Sequence, residues 1–153
     1  MFELFPHVNA SRTSQRGFSL IELLIVVAII GILAALSIPN LTSSRQTANS
    51  ASALSSLRLI HSSETSYHIL SGSFGDLATL ERAGYIADQT LRSGTKSHYL
   101  FTVTLDSDPA ANYKAKALPA TDSTFRRHYF VDATGVVRYQ MGAEASSASP
   151  SVD

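Results

Sequence analysis

From Phe18 to Ile38 the chain runs for 21 residues with a single charge, Glu22. At about 1.5 Å per helical residue that run is roughly 31 Å long, the thickness of the hydrocarbon core of a bilayer. A segment of this length and composition can span a membrane as a helix. A plain anchor would not carry a carboxylate there, because an acidic side chain well inside an apolar helix costs on the order of 2.5 to 3.5 kcal/mol.

Two readings account for Glu22. In the first it is a cap: Ser19-Leu20-Ile21-Glu22 fits the S-x-x-E box, in which the serine accepts from the third helical N–H and the glutamate reaches back to the cap. The second starts from Gly17-Phe18, a small residue followed by a large apolar one at the edge of a basic leader, where a leader peptidase could cut. Cleavage there creates an α-amine at Phe18, about one helical turn from Glu22, and gives the buried carboxylate an opposite charge.

The run Gly17-Phe18-Ser19-Leu20-Ile21-Glu22-Leu23-Leu24 resembles the class III signal and N-terminal helix of type IV pilins and the related pseudopilins, and Pro39 sits where many such helices carry a proline. The likeness covers about a quarter of the chain in detail. It implies that a membrane aspartyl prepilin peptidase cuts after Gly17 and methylates the Phe18 amine, making both residues substrate positions. It further implies a homo-oligomeric helical filament built with inner-membrane assembly machinery, Glu22 of an incoming subunit meeting the Phe18 amine of a neighbour. Gly31 to Pro39 is then a place for the helix to stretch. The family layout is a lollipop, a helix backed by an antiparallel sheet.

The length and composition leave room for one modest soluble domain. Of 153 residues about 40 are leader and apolar helix. The 12 basic and 12 acidic residues cancel, and removing residues 1–17 with Arg12, Arg16 and Glu3 leaves 10 against 11, so global charge points to neither nucleic acid nor an anionic surface. With no cysteine there is neither a disulfide nor a thiolate metal site.

Residues 1–17 read as a removable leader. Arg12 and Arg16 precede the apolar run and the next basic residue is Arg45, so the positive-inside bias keeps the leader in the cytoplasm and places the C-terminal domain outside. The expected location is the bacterial inner membrane, crossed once, followed by an extracellular or periplasmic filament. Pro39 disfavours helical geometry at Ile38, so the helix either ends there, with Asn40 as the next cap, or continues with a kink. Continuation is favoured by Ala51, Leu54, Leu57, Ile60, Tyr67 and Leu70, which recur at three- to four-residue spacing with Glu64 interrupting. The second part of the helix is thus amphipathic and ends near Ser71-Gly72.

Residues 72–97 read as a loop with two helical turns over 76–83. The period then becomes two. Tyr99, Phe101, Val103 and Leu105 alternate with His98, Leu100, Thr102 and Thr104, as Tyr113, Ala115 and Ala117 do with Lys114, Lys116 and Leu118, while Arg127 to Val131 and Val136 to Gln140 flank the turn Asp132-Ala133-Thr134-Gly135. The expected fold is α+β, with the second half of a long N-terminal helix packed on a four-stranded antiparallel sheet. The expected segments are a leader over 1–17, an apolar helix over 18–39, a pilin-like domain over 40–142 and a disordered tail over 143–153.

No nucleophile, phosphate-loop, zinc-protease or dinucleotide motif is present, and the chain reads as structural, not as an enzyme, with no cofactor expected. His61 and His68 share a helical face but stand about 10 Å apart along the axis, too far for one ion. Asp106 and Asp108 form a D-x-D turn that could offer a calcium ion two carboxylates, far short of its six to eight oxygens. Lys114, Lys116, Arg126, Arg127 and Arg138 fall on or near the sheet, as a solvated face or as a basic patch for DNA. Two rivals share the N-terminal half: a pseudopilin of a type II secretion system, and a monomeric membrane-anchored sensor or binding domain with an uncut N-terminus.

Overall fold

The computed structural model describes residues 17–121 and 126–152, and divides after Leu41 into two compact units. The leader expected over 1–17 lies outside the described residues except for Gly17. Helix α1 runs in one piece, Leu20–Ser71, and passes through Pro39 without ending. It stops where Gly72 takes φ +73° and donates its N–H to the His68 carbonyl at 2.8 Å, a left-handed helix end that suits glycine.

In the first unit every side chain described from Phe18 to Ile38 is exposed. The second unit, from Thr42 onward, holds the core. Its helix face is Ala53, Leu57 and Ile60, fully buried, with Ser56, Ser63 and Glu64 buried among them. Of the stripe read from the sequence, Leu57 and Ile60 are buried and Leu54 and Tyr67 pack against the core, but Ala51 is exposed and Leu70 is 80% exposed, and Glu64 is the next member inward after Ile60.

Two short helices follow α1. Asp76 caps α2 (Leu77–Arg82) by accepting from Thr79 N–H at 2.8 Å, and Asp88 caps α3 (Gln89–Arg92) by accepting from Thr90 and Leu91 N–H. Lys96 reaches the other Asp88 oxygen at 2.7 Å, and this ammonium, with the Thr90 hydroxyl, holds the Asp88 carboxyl well below the usual carboxylate range. Leu80, Ile86 and Leu91 drop from this segment into the core.

The sheet has five antiparallel strands in chain order: β1 (Thr95–Lys96), β2 (Tyr99–Leu105), β3 (Tyr113–Pro119), β4 (Arg127–Asp132) and β5 (Arg138–Met141). Four were expected. The fifth, β1, is a two-residue strand joined to β2 by Ser97-His98, both at positive φ, the geometry of a primed hairpin turn that is usually signalled by Asn-Gly. The register sets the large Phe101 and Val103 on β2, and Tyr129 and Val131 on β4, opposite the small Ala117 and Ala115 of the central β3. All but the half-buried Val103 are buried, a large-small-large alternation that lets one layer of side chains fill the core.

The expected turn at 132–135 forms: Gly135 has φ +76° and donates to the Asp132 carbonyl, while Asp132 Oδ1 accepts from Thr134 N–H. A Cβ added at Gly135 would stand 2.7 Å from His61 Nε2, so space as well as φ requires glycine here.

The disordered tail expected after residue 142 is corrected. Ser151 bridges to Arg138, Tyr139 N–H donates to the Pro150 carbonyl, Val152 N–H to the Val137 carbonyl, and Ala145 is buried. Glu144 reaches Lys116 at 2.6 Å, and Lys116 is the register partner of Phe130, so the returning chain crosses the outer face of the sheet. His128 and Phe130 on that face are buried too. Small residues gave no apolar period to read, yet backbone pairing needs none.

Candidate assembly site

At the start of α1 the Ser19 backbone N–H donates to Glu22 Oε2 at 3.1 Å, and Leu23 N–H donates to the Ser19 carbonyl at 3.2 Å. Glu22 thus folds back over the first turn, the end of a helix where the dipole favours a negative charge. Phe18 precedes the helix and is 76% exposed, and an added Cβ at Gly17 would meet nothing within 4 Å. Gly17, Phe18 and Glu22 therefore stand together at one open end of the chain as described.

Fourteen large apolar side chains between Phe18 and Ile38 are exposed. At roughly 1.5 to 3 kcal/mol for each such side chain fully buried, covering them is worth on the order of 20 kcal/mol or more. Among the described residues α1 is the one helix long and apolar enough to cross a membrane. Gly31 has open space around it, and Ser37 Oγ donates to the Leu33 carbonyl at 2.8 Å, a back-bond that tends to bend helices, two residues before the missing N–H of Pro39.

The globular unit offers a second polar cluster. Glu64 is fully buried; Oε2 accepts from Gly75 N–H at 3.0 Å and Oε1 has no hydrogen-bond partner. Burial pushes its carboxyl up to about 7, against the lowering effect of the Gly75 N–H and with some help from the Asp76 charge. Nearby, His61 Nδ1 and the Tyr113 hydroxyl are 2.7 Å apart, and burial followed by the charges of Glu64 and Asp132 pushes the Tyr113 phenol upward. Sequence reading treated Glu64 as a break in the apolar stripe. Its spacing from Ile60 was the available signal that it points inward.

The other residues singled out from sequence are dispersed. His68 Nε2 bonds the Ala110 carbonyl and its ring stacks on Phe74, away from His61. Asp106 accepts from Ser107 N–H and Asp108 from Ala110 N–H, so both carboxylates shape their turn. No group of three histidine, aspartate or glutamate side chains gathers for a metal among the described residues. Of the five basic residues, Lys114 pairs with Asp106, Lys116 with Glu144, and Arg138 donates to the Ser149 carbonyl; Arg126 and Arg127 are in no ion pair among the described residues.

Residues 12–38 match the family model of the prokaryotic N-terminal methylation motif, and that match spans Gly17, Phe18 and Glu22. In its N-terminal segment the chain is similar to type IV pilins and to a type II secretion pseudopilin. It is 41% identical over 71 residues to the type IV major pilin protein PilA of Myxococcus xanthus, covering 46% of this chain and 32% of that one. It is 64% identical over 36 residues to the type IV wide pilus major component PilA4 of Thermus thermophilus, 24% of this chain and 28% of that one. Over 58 residues it is 38% identical to the type II secretion system core protein G of Klebsiella michiganensis, 38% and 41% of the two chains. The match thus spans between about a quarter and two fifths of the length of these relatives. A long N-terminal helix followed by an antiparallel sheet is the pilin-like arrangement.

Proposed function

We propose that this chain is the structural subunit of a type IV pilus-like filament, cut after Gly17, methylated at the Phe18 amine and polymerised through residues 18–39. The observation that carries the reading is the exposed apolar run with a single carboxylate folded over its first turn. In a bilayer the helix dipole and headgroup water ease Glu22. In a bundle of such helices without water a carboxylate is tolerable only when paired, and the Phe18 amine of a neighbouring copy is the cation that cleavage would create. Register then follows from charge neutralisation, while Gly31 and Pro39 weaken the helix where it must adjust. The chain awaits assembly anchored in the inner membrane with its C-terminal domain outside, and its partners are its own copies, the prepilin peptidase and the assembly machinery.

Glu22→Val tests this directly. Cleavage should stay largely intact while filaments of this subunit disappear from sheared preparations, and normal filaments from the variant contradict the mechanism. A second reading, a secretion pseudopilin, is favoured by the likeness to core protein G. It shares every N-terminal step and differs in forming no long surface filament.

A further inference from the structure

The globular unit carries a groove of about 350 Å³ between residues 43–54 of α1 and the strand ends at Tyr99, Arg126, Arg127 and Met141. Its floor is fixed by hydrogen bonds between Ser50 Oγ and the Tyr129 hydroxyl at 2.5 Å and from the Tyr99 hydroxyl to the Arg127 carbonyl at 3.0 Å. Two guanidinium groups line it. Arg127 is exposed and lies over the Tyr139 ring at 5.0 Å, and Arg126 Nε is shut off from solvent with no hydrogen-bond partner. A donor buried without an acceptor is costly, and neither arginine has a carboxylate partner among the described residues.

Among the described residues, two carboxylates that could answer them stand at the opposite pole. The β2–β3 turn carries Asp106, held only loosely by Lys114 at 3.6 Å, and Asp108, exposed and in no ion pair among the described residues. Register places Tyr99, Pro119, Arg127 and Met141 at one end of the sheet and Leu105, Tyr113 and Asp132 at the other. The six steps of β2 alone separate those ends by about 20 Å. Along α1 the groove ends at Leu54 and the turn is tied to His68 through the Ala110 carbonyl, again about 21 Å at 1.5 Å per residue. One chain therefore cannot bring the two together.

We infer that the Arg126–Arg127 groove of one subunit receives the Asp106-Ser107-Asp108 turn of a second copy of this chain, head to tail. The inference rests on the filament reading above and adds a contact between globular units to it. A patch at one pole that fits a patch at the other is a heterologous interface, which repeats without closing and so builds a helical filament. Charge opposition fixes which pole meets which, since like poles would set arginine against arginine or aspartate against aspartate.

The chain lacks cysteine, so an introduced pair reports this contact cleanly. In the full chain expressed with its own assembly machinery, the double variant Asp108→Cys with Arg127→Cys should give an oxidised ladder of oligomers from sheared filaments, and either single variant none. Arg126→Asp with Arg127→Asp should lower filament yield on the order of tenfold, and adding Asp106→Arg with Asp108→Arg should restore most of it. Filaments that form normally yet give no ladder overturn the contact and leave the N-terminal mechanism standing. A parent chain that keeps its Gly17–Phe18 bond and makes no filament overturns both. Arginine variants that assemble normally but lose salt-dependent DNA binding would assign the groove to nucleic acid and also overturn the contact.

Discussion

The two halves of α1 follow one backbone geometry and opposite burial rules. From Phe18 to Ile38 the side chains are apolar on all faces and all exposed; from Ala53 to Glu64 the helix is polar on most faces and buries one stripe completely. The second half owes its stability to a sheet supplied by the same chain. The first half is exposed throughout, and the filament proposal supplies its cover from lipid and then from other copies. A single helix thus separates the stretch that folds against the sheet from the stretch that the filament proposal assigns to assembly.

Substitutions should divide along that line. Leu57→Ala removes a fully buried side chain from the stripe and should cost the globular unit roughly 2 to 5 kcal/mol in denaturant unfolding, whereas Leu33→Ala should leave that unfolding curve unchanged. Equal losses from both would mean that the two halves fold as one unit.

Glu64 sharpens the comparison, because it is a carboxylate inside the stripe, whereas Glu22 is one outside any core. The folded carboxyl titrates at about 7 and the unfolded one near 4.5, so the unfolded chain holds fewer protons between those values. The stability associated with Glu64 is therefore fully present below about pH 4.5 and falls as pH rises through 7, by up to roughly 3 kcal/mol at about 1.4 kcal/mol per pH unit. Glu64→Gln should abolish this component. The variant should be the more stable of the two at pH 8 and close to the parent at pH 4.5, compared by denaturant midpoints; a parent-minus-variant difference that does not change with pH contradicts the buried-acid account.

The smallest expected effect lies at the turn the sequence concealed. His98 is exposed with φ +60°, so His98→Gly should relieve backbone strain and raise stability by on the order of 0.5 to 1 kcal/mol, seen as a modest rise in Tm. A fall in Tm would show that the His98 side chain contributes more than its backbone conformation costs.

What was legible in the sequence was what has a period or a motif. The apolar run, the S-x-x-E start, the strands alternating around Phe101 and Ala115, and the turn at Gly135 all left such signals. What was missed had none. Ser97-His98 makes a primed turn without the residues that usually mark it, and the tail from Glu144 to Val152 is held by backbone bonds, by the Arg138 guanidinium on the Ser149 carbonyl and by an ion pair to Lys116. Glu64 was misplaced for a different reason, since charge outweighed spacing in reading the stripe. The Arg126–Arg127 groove joins residues more than 70 positions apart, a proximity only the folded sheet creates.

The central claim, that the first half of α1 is freed at Phe18 to assemble, is tested most directly by the intact mass and N-terminal residue of the protein extracted from its native membrane. The expected result is a chain beginning at Phe18 and one methyl group heavier than its sequence. A chain in which the Gly17–Phe18 bond is intact would contradict the account, leaving Glu22 as a helix cap and residues 18–38 as an ordinary anchor.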